Sequence, residues 1–353
     1  MYIHRCIELA KLGAGNVAPN PMVGAVLVFE DKIIGEGYHQ RFGKAHAEVN
    51  CINDAEKRMI SVKASNNDMA AVLQKSILYV SLEPCAHFGR TPPCADLIIE
   101  KKIPKVVIGC RDPFKEVDGK GISKLQASGV EVHTGILEED CIALNNRFFT
   151  FHLKNRPYII LKWAQTANRK IAGPETSRLF ISDEITNRYV HKWRSEEAAV
   201  MIGTNTALMD DPSLNTRLWR GNDPLRVVLD MNLRLPQFLR IFNQEGKTLI
   251  FNVLKQEDNE RVQYYKLKRH EPVIGQLMKA LYELGIQSVL VEGGRRLIQS
   301  FIDENTWDEA RVITNNELEV NTGTGAPQLP AAVLTHQYQI HSDTIRFFSP
   351  LQG

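Results

Sequence analysis

Four side chains in the first half of this 353-residue chain have the types and order of a catalytic metal centre. His46 and Glu48 form a His-x-Glu triplet, and Cys85 and Cys94 follow in Glu-Pro-Cys and Pro-Pro-Cys contexts. Zinc favours imidazole nitrogen and thiolate sulfur, and a catalytic site uses three protein ligands with water in the fourth position. His46, Cys85 and Cys94 would supply those three, and the bound water would lose a proton near neutral pH. Glu48 is not needed as a ligand, and is placed to take that proton and deliver one to a leaving amine. Amine removal needs both transfers, because ammonia leaves poorly unless protonated. Each feature alone is ordinary. His-x-Glu arises by chance, and two cysteines can be buried thiols or part of a structural zinc site. In this order, with His46 opening a helix and Cys85 following a strand, they specify catalytic zinc and hydrolytic deamination with Glu48 as the catalytic residue.

The elements that must position these groups are legible as alternation. Ile3, Cys6, Ile7 and Ala10 fall at helical spacing, and that helix ends near Gly13. Val23 to Phe29 reads as a buried strand, and a turn at Glu30-Asp31-Lys32 leads into Ile33-Ile34. Ala47 onward reads as a helix. Ile77 to Leu82, Val106 to Cys110 and Val130 to Thr134 read as strands, with helices at Ala95 to Lys101 and Ile122 to Ser128 between them. Such alternation implies a largely parallel sheet covered by helices. The polar stretch within Glu56 to Gln74 reads as a surface excursion. A boundary falls near Phe149 to Pro157, dividing residues 1–148 from 156–353.

Alternation then resumes. Tyr158 to Trp163, Ala199 to Ile202, Arg226 to Asp230, Thr248 to Asn252, Ser288 to Glu292 and Glu309 to Ile313 read as strands. Ile185 to Trp193 and Gly275 to Leu284 read as helices. Glu292-Gly293-Gly294 sits between a strand and a helical run, Arg295 to Asp303. Paired glycines there let a phosphate approach the backbone at a helix N-terminus, and Arg295 and Arg296 add cations. A Gly-Gly turn alone is more often only a tight turn.

Composition narrows the field. With 43% apolar and 24% charged residues the chain is globular, and 353 residues suit two domains. A net charge of +2 leaves no basic footprint for nucleic acid, so a small-molecule substrate is expected. Met1 to Glu8 carries charges where a signal peptide needs an apolar run, and no apolar stretch is long enough to span a bilayer. Six cysteines without a small-domain framework read as reduced thiols or metal ligands. A cytoplasmic protein is expected, with no membrane and no nucleic-acid partner.

Several runs carry a resemblance. Asn20-Pro21-Met22-Val23-Gly24, Gly35-Glu36-Gly37-Tyr38-His39, His46-Ala47-Glu48-Val49 and Leu82 to Cys94 resemble the deaminase half of the bifunctional riboflavin-pathway deaminase/reductase family. The likeness extends through Asp112-Pro113 and Gly119-Lys120-Gly121. The eight residues between Cys85 and Cys94 depart from the Cys-x-x-Cys of other zinc deaminases and are particular to this family. Lys162-Trp163-Ala164, Ile181-Ser182, Val200 to Thr206, Asp210-Asp211-Pro212 and Val291 to Gly294 resemble its reductase half, so the likeness covers almost the whole chain.

The resemblance implies an α/β protein with a cytidine-deaminase-like three-layer domain followed by a dihydrofolate-reductase-like domain. It implies Zn2+ and NADPH as cofactors, a pyrimidine ribose phosphate as substrate and a homodimer. Asn20, His39, His87 and Arg90 would contact the substrate in the deaminase half. Ala164, Phe180, Thr206, Asp210, Gly294, Arg295 and Arg296 would line the NADPH site. Arg194, Leu214, Arg217 and Glu292 would face the reductase substrate, with the arginines on its phosphate.

The chain departs from the family's Ser/Thr-x-Asp-Gly-Arg/Lys turn, reading Thr166-Ala167-Asn168-Arg169-Lys170. Arg169 lacks the freedom of glycine at positive φ. A deaminase with a degraded reductase half is therefore the narrower alternative. Phe88 and Phe114 also stand where the family more often has polar residues. A nucleic-acid deaminase and a structural zinc protein are the remaining rivals.

Overall fold

A computed structural model of the chain describes residues 1–61, 65–89, 92–173, 179–243 and 245–351. The chain forms two compact units, Met1–Lys154 and Asn155–Gly353. In the first, the elements run α1 (Tyr2–Lys11), β1 (Gly24–Phe29), β2 (Lys32–Tyr38), α2 (Ala47–Ser61), α3 (Asn66–Leu73), β3 (Ile77–Leu82), α4 (Cys94–Glu100), β4 (Lys105–Cys110), α5 (Lys120–Ala127), β5 (Glu131–His133), α6 (Glu138–Leu144) and α7 (Asn146–Lys154). The sheet order is β2-β1-β3-β4-β5.

Period-two alternation sorts each strand between two cores. Ala25, Leu27, Leu78 and Val80 face α2, α4 and α5 in one buried cluster. Val26, Val28, Leu82 and Val107 face α1, α6 and α7 in another. The result is a three-layer α/β/α sandwich. Its sheet is mixed rather than largely parallel, because β1 runs antiparallel to both β2 and β3. For β2 the cause is local: Glu30 and Asp31 both take positive φ, 47° and 59°, a two-residue turn that joins only antiparallel neighbours. The stretch read as a surface excursion also differs. It holds the end of α2 and all of α3, whose N-terminus is closed by a capping box between Ser65 and Asp68.

The second unit runs β6 (Tyr158–Thr166), β7 (Lys170–Ala172), α8 (Glu184–Glu196), β8 (Ala199–Gly203), α9 (Thr204–Asp210), β9 (Leu225–Leu229), α10 (Arg240–Asn243), β10 (Thr248–Asn252), β11 (Glu257–Asp258), β12 (Val262–Lys266), α11 (Val273–Glu283), β13 (Ser288–Val291), α12 (Arg295–Asp303), β14 (Glu309–Asn315), β15 (Thr324–Gly325), β16 (Ala332–Ile340) and β17 (Asp343–Pro350). Its large sheet has the order β11-β12-β10-β9-β8-β13-β6-β14-β17-β16. Every pair from β12 to β14 is parallel, and the edges are antiparallel. Ile159, Leu161 and Trp163 of β6 pack with α11 and α12 on one face. Tyr158 and Ile160 meet Val190 and Trp193 of α8 on the other. Lys162 stands in the middle of β6, and Thr206 and Glu292 follow the C-terminal ends of β8 and β13, all three strands being central. Among the described residues no helix is long and apolar enough to cross a membrane.

Candidate metal centre and reductase cleft

The metal-binding trio is built from two helix starts and one strand end. His46 immediately precedes α2, Cys85 lies three residues beyond β3, and Cys94 is the first residue of α4. Their donor atoms all lie within 4.8 Å of one another. His46 Nδ1 sits 3.6 Å from Cys85 Sγ and 3.4 Å from Cys94 Sγ. Zinc bonds of about 2.3 Å to sulfur and about 2.0 Å to nitrogen at tetrahedral angles put nitrogen and sulfur roughly 3.6 Å apart. The donor set and its spacing therefore fit zinc.

The surroundings explain how the donors are held. The Cys94 amide, at the N-terminus of α4, donates to Cys85 Sγ at 3.3 Å, and the Ala95 amide donates to the Cys85 carbonyl at 3.1 Å. The Cys94 thiol, together with His46, stabilises the Cys85 thiolate and draws its pKa down to about 4. Glu83, in the same motif, is buried, and its carboxylate accepts amides from Asp112, Gly119, Gly121 and Ile122 at 3.0–3.3 Å. It ties the loop leading into α5 to the segment that carries Cys85. On the other side, α2 lies directly on β2. A side chain at Gly37 would collide with the Cys51 amide nitrogen, and one at Gly35 with the Cys51 carbonyl. The glycines of the Gly-Glu-Gly motif are thus what lets α2, and with it His46 and Glu48, approach the sheet.

Glu48 is 3% exposed, in the first turn of α2. Burial lifts its carboxyl to about 7, against the favourable field of His46. The residues expected around the substrate line up beside it. Buried His39 has its ring 5.2 Å from that of His46. Its Nδ1 faces the Ala45 carbonyl at 3.1 Å and its Nε2 faces Asn20 Nδ2 at 3.3 Å. The network thus assigns the proton to Nδ1, with Asn20 donating to Nε2. Burial lowers the His39 pKa, so the ring is a neutral wall. His87 has a buried Nδ1 without a partner among the described residues, and its ring lies 6.2 Å from Phe114. Arg90 lies outside the described residues. Phe88 is 77% exposed.

Sequence reasoning missed Asn145. Its side chain accepts from the Met22 amide at 2.8 Å and donates to the Met22 carbonyl at 2.9 Å, fixing the loop that presents Asn20. No spacing or motif marks an asparagine between two helices, so nothing in the sequence points to it. Asn145→Leu would orphan both Met22 groups. It is expected to cost about 2 kcal/mol, read from the chemical unfolding of residues 1–154, and to raise the KM of deamination through Asn20.

In the second unit, Glu292 follows β13 and pairs bidentately with Arg194 of α8, at 2.5 and 2.7 Å. Lys162 Nζ, from the middle of β6, lies 3.6 Å from the same carboxylate. Burial alone would raise the Glu292 pKa, and Arg194 and Lys162 reverse that to hold it at about 2. Arg194 also donates to the Asn215 carbonyl at 3.1 Å. Three of its N–H groups are thus committed inside the protein, whereas Arg217, the other arginine expected on the phosphate, is exposed. Arg217 donates to Asn215 Oδ1 at 3.0 Å. Lys162, quoted only within a strand motif, joins this buried cluster. A lysine interrupting Tyr-Ile-Ile-Leu was the available signal. Leu214 buries its side chain with Val200, Ile202 and Ala207, so a ligand meets it only through its backbone.

Thr206 lies in α9, directly after β8. Its Oγ1 accepts the Gly294 amide at 2.8 Å, and the Gly203 amide donates to the Gly293 carbonyl at 3.3 Å. The two strand-end turns are thereby stitched together beside the start of α12, where Arg295 and Arg296 are both exposed. Ala164 is half-buried and Phe180 is 74% exposed. Asp210 ends α9 and acts electrostatically on Lys162. The departing turn keeps its closure. Thr166 Oγ1 accepts the Lys170 amide at 2.9 Å, and Asn168 bonds the Val320 carbonyl and amide. Arg169 takes φ 60°, the conformation that costs a side chain about 1 kcal/mol or more relative to glycine.

Residues 1–110 match the cytidine and deoxycytidylate deaminase zinc-binding region, and residues 157–316 match the RibD C-terminal domain. The riboflavin biosynthesis protein RibD of Aquifex aeolicus is 39% identical over 314 residues, covering 87% of this chain and 84% of that protein. The chain belongs to the RibD family. A RibD structure from Acinetobacter baumannii superposes with a TM-score of 0.86 at 30% identity, covering 99% of this chain and 98% of that one. A Thermotoga maritima structure, described as a diaminohydroxyphosphoribosylaminopyrimidine deaminase/5-amino-6-(5-phosphoribosylamino)uracil reductase, superposes with a TM-score of 0.87 at 34% identity, covering 99% and 97%. RibD proteins are bifunctional deaminase/reductases of riboflavin biosynthesis that use zinc and NADPH, and both halves are present here.

Proposed function

We propose that residues 1–148 hydrolyse the 2-amino group from a diaminopyrimidine ribose phosphate, and that residues 156–353 then reduce the ribosyl group to a ribityl chain. The observation that carries the first half is three donors at zinc spacing beside a fully buried carboxyl. Zinc, when held by His46, Cys85 and Cys94, supplies activated water near neutral pH. Glu48 would take a proton from the attacking water and return protons to the ring nitrogen and the departing amine, so that the ring carbon keeps the water oxygen as a carbonyl and loses its amino group as ammonia. Asn20, His39 and His87 hold the pyrimidine or its ribose phosphate, with Arg90 as a further substrate contact.

In the second unit NADPH supplies the hydride. Thr206, Gly294, Arg295 and Arg296 hold its phosphates, with Ala164, Phe180 and Asp210 along its length. Glu292, Lys162 and Arg194 form one wall of the substrate site, with Arg217 on the substrate phosphate. The same reading makes the protein a cytoplasmic homodimer. The rival of a lapsed reductase rests on Arg169, and the closed turn around it speaks for a working unit.

Purified protein is expected to contain one zinc per chain and to release ammonia from the diaminopyrimidine phosphate. Given the deaminated product, it is expected to oxidise NADPH. Metal-free, inert protein after zinc reconstitution would refute the deaminase reading. Ammonia release without NADPH oxidation would leave deamination alone.

A further inference from the structure

An open cavity of about 440 Å³ in the second unit is lined by Arg169, Arg295, Gly325, Ala326, Gln328 and Leu329. Arg295 is the first residue of α12, whose N-terminal amides add partial positive charge to the same space. Among the described residues, neither guanidinium has a carboxylate within ion-pair distance. Arg169 is also held in place on this wall. Its amide donates to the Thr166 carbonyl at 2.9 Å, and its carbonyl accepts the Ala326 amide at 2.8 Å, with φ at 60°. The chain therefore keeps an arginine where glycine would relieve the backbone, on the wall of an open cavity that exposed Arg295 also lines. Two exposed guanidinium groups lining one cavity, without a carboxylate partner among the described residues, suit a phosphate between them. Strained positions of this kind gather where a ligand is clamped.

We propose that Arg169 acts with Arg295 to grip the diphosphate of the dinucleotide cofactor, adding a phosphate contact that a glycine in this turn would not provide. This rests on the reading of residues 156–353 as the NADPH-dependent unit. The diphosphate is the anion that suits a helix N-terminus next to paired glycines, and Gly293 and Gly294 immediately precede α12.

The test is direct binding of NADPH and of NADH, followed by nucleotide fluorescence, to the full chain and to Arg169→Gln and Arg169→Gly. Gln keeps the strained backbone and removes the charge, whereas Gly removes both. Both variants are expected to bind NADPH and NADH about fivefold more weakly, the order of one exposed ion pair, with the gap narrowing at high salt. Arg169→Gly is also expected to unfold at a higher temperature, which separates lost affinity from lost fold. Unchanged dissociation constants would overturn the proposal. A loss confined to NADPH would move the contact to the 2′-phosphate and overturn the diphosphate assignment. Failure of the unaltered chain to bind either nucleotide would instead overturn the reductase reading itself.

Discussion

Glu48→Gln is expected to lower the turnover of ammonia release by at least about 10²-fold while leaving zinc content unchanged. The substitution keeps the side chain's shape and removes its ability to accept and return a proton. The position suits that role. Glu48 is 3% exposed, in the first turn of the helix that His46 precedes, and burial raises its carboxyl above the ordinary carboxylate range. His46, Cys85 and Cys94 are untouched, so a fall in activity at constant metal separates proton transfer from metal binding. NADPH oxidation with the deaminated product supplied serves as an internal control and should be unaffected. Full ammonia release by the variant would make the metal structural.

The second large effect is on stability. Glu292→Gln is expected to destabilise residues 155–353 by about 3–5 kcal/mol, because it leaves Arg194 and Lys162 buried without their shared partner. The wild-type protein should show the same interaction through pH. The carboxyl titrates at about 2 when folded, against an ordinary 4.5. A depressed folded value means the contribution is complete above the ordinary pKa and disappears as pH falls from about 4.5 towards 2. At about 1.36 kcal/mol per unit, that contribution is about 3 kcal/mol. Chemical unfolding between pH 3 and pH 6, following the transition of this unit, checks it. A variant with unchanged acid sensitivity would refute the assignment. Reduction should also fall if Glu292 and Lys162 form the proposed wall of the substrate site.

What could be read beforehand depended on whether a residue's chemistry was rare in its setting. A histidine, two cysteines and a glutamate at strand and helix starts have few ordinary uses together, and the fold brings the three donors within 4.8 Å. Central strands such as Ile77–Leu82 and Thr248–Asn252 are continuous apolar runs, and they stand where the pattern puts them. The β16–β17 hairpin was not legible. Ala332–Ile340 is an edge strand with mostly exposed side chains, so it has no hydrophobic alternation to betray it. The direction of β1 against β3 depends on long-range pairing, which local pattern does not carry. Glu83 and Asn145 act by bonding distant backbone, a job that any acid or amide could do on paper. Arg169 was legible for the opposite reason, since a missing glycine marks a turn by its absence.

The carboxylate of Glu83 has a wider consequence for how this metal centre tolerates change. Four backbone amides anchor the segment before Cys85, while Cys94 is anchored separately as the opening residue of a helix. The Cys94 and Ala95 amides bond Cys85 directly, so the two sulfurs are held together without the intervening peptide, which only has to span the gap. Closing a longer span costs little more than closing a short one. Ligand geometry and loop length can accordingly drift independently.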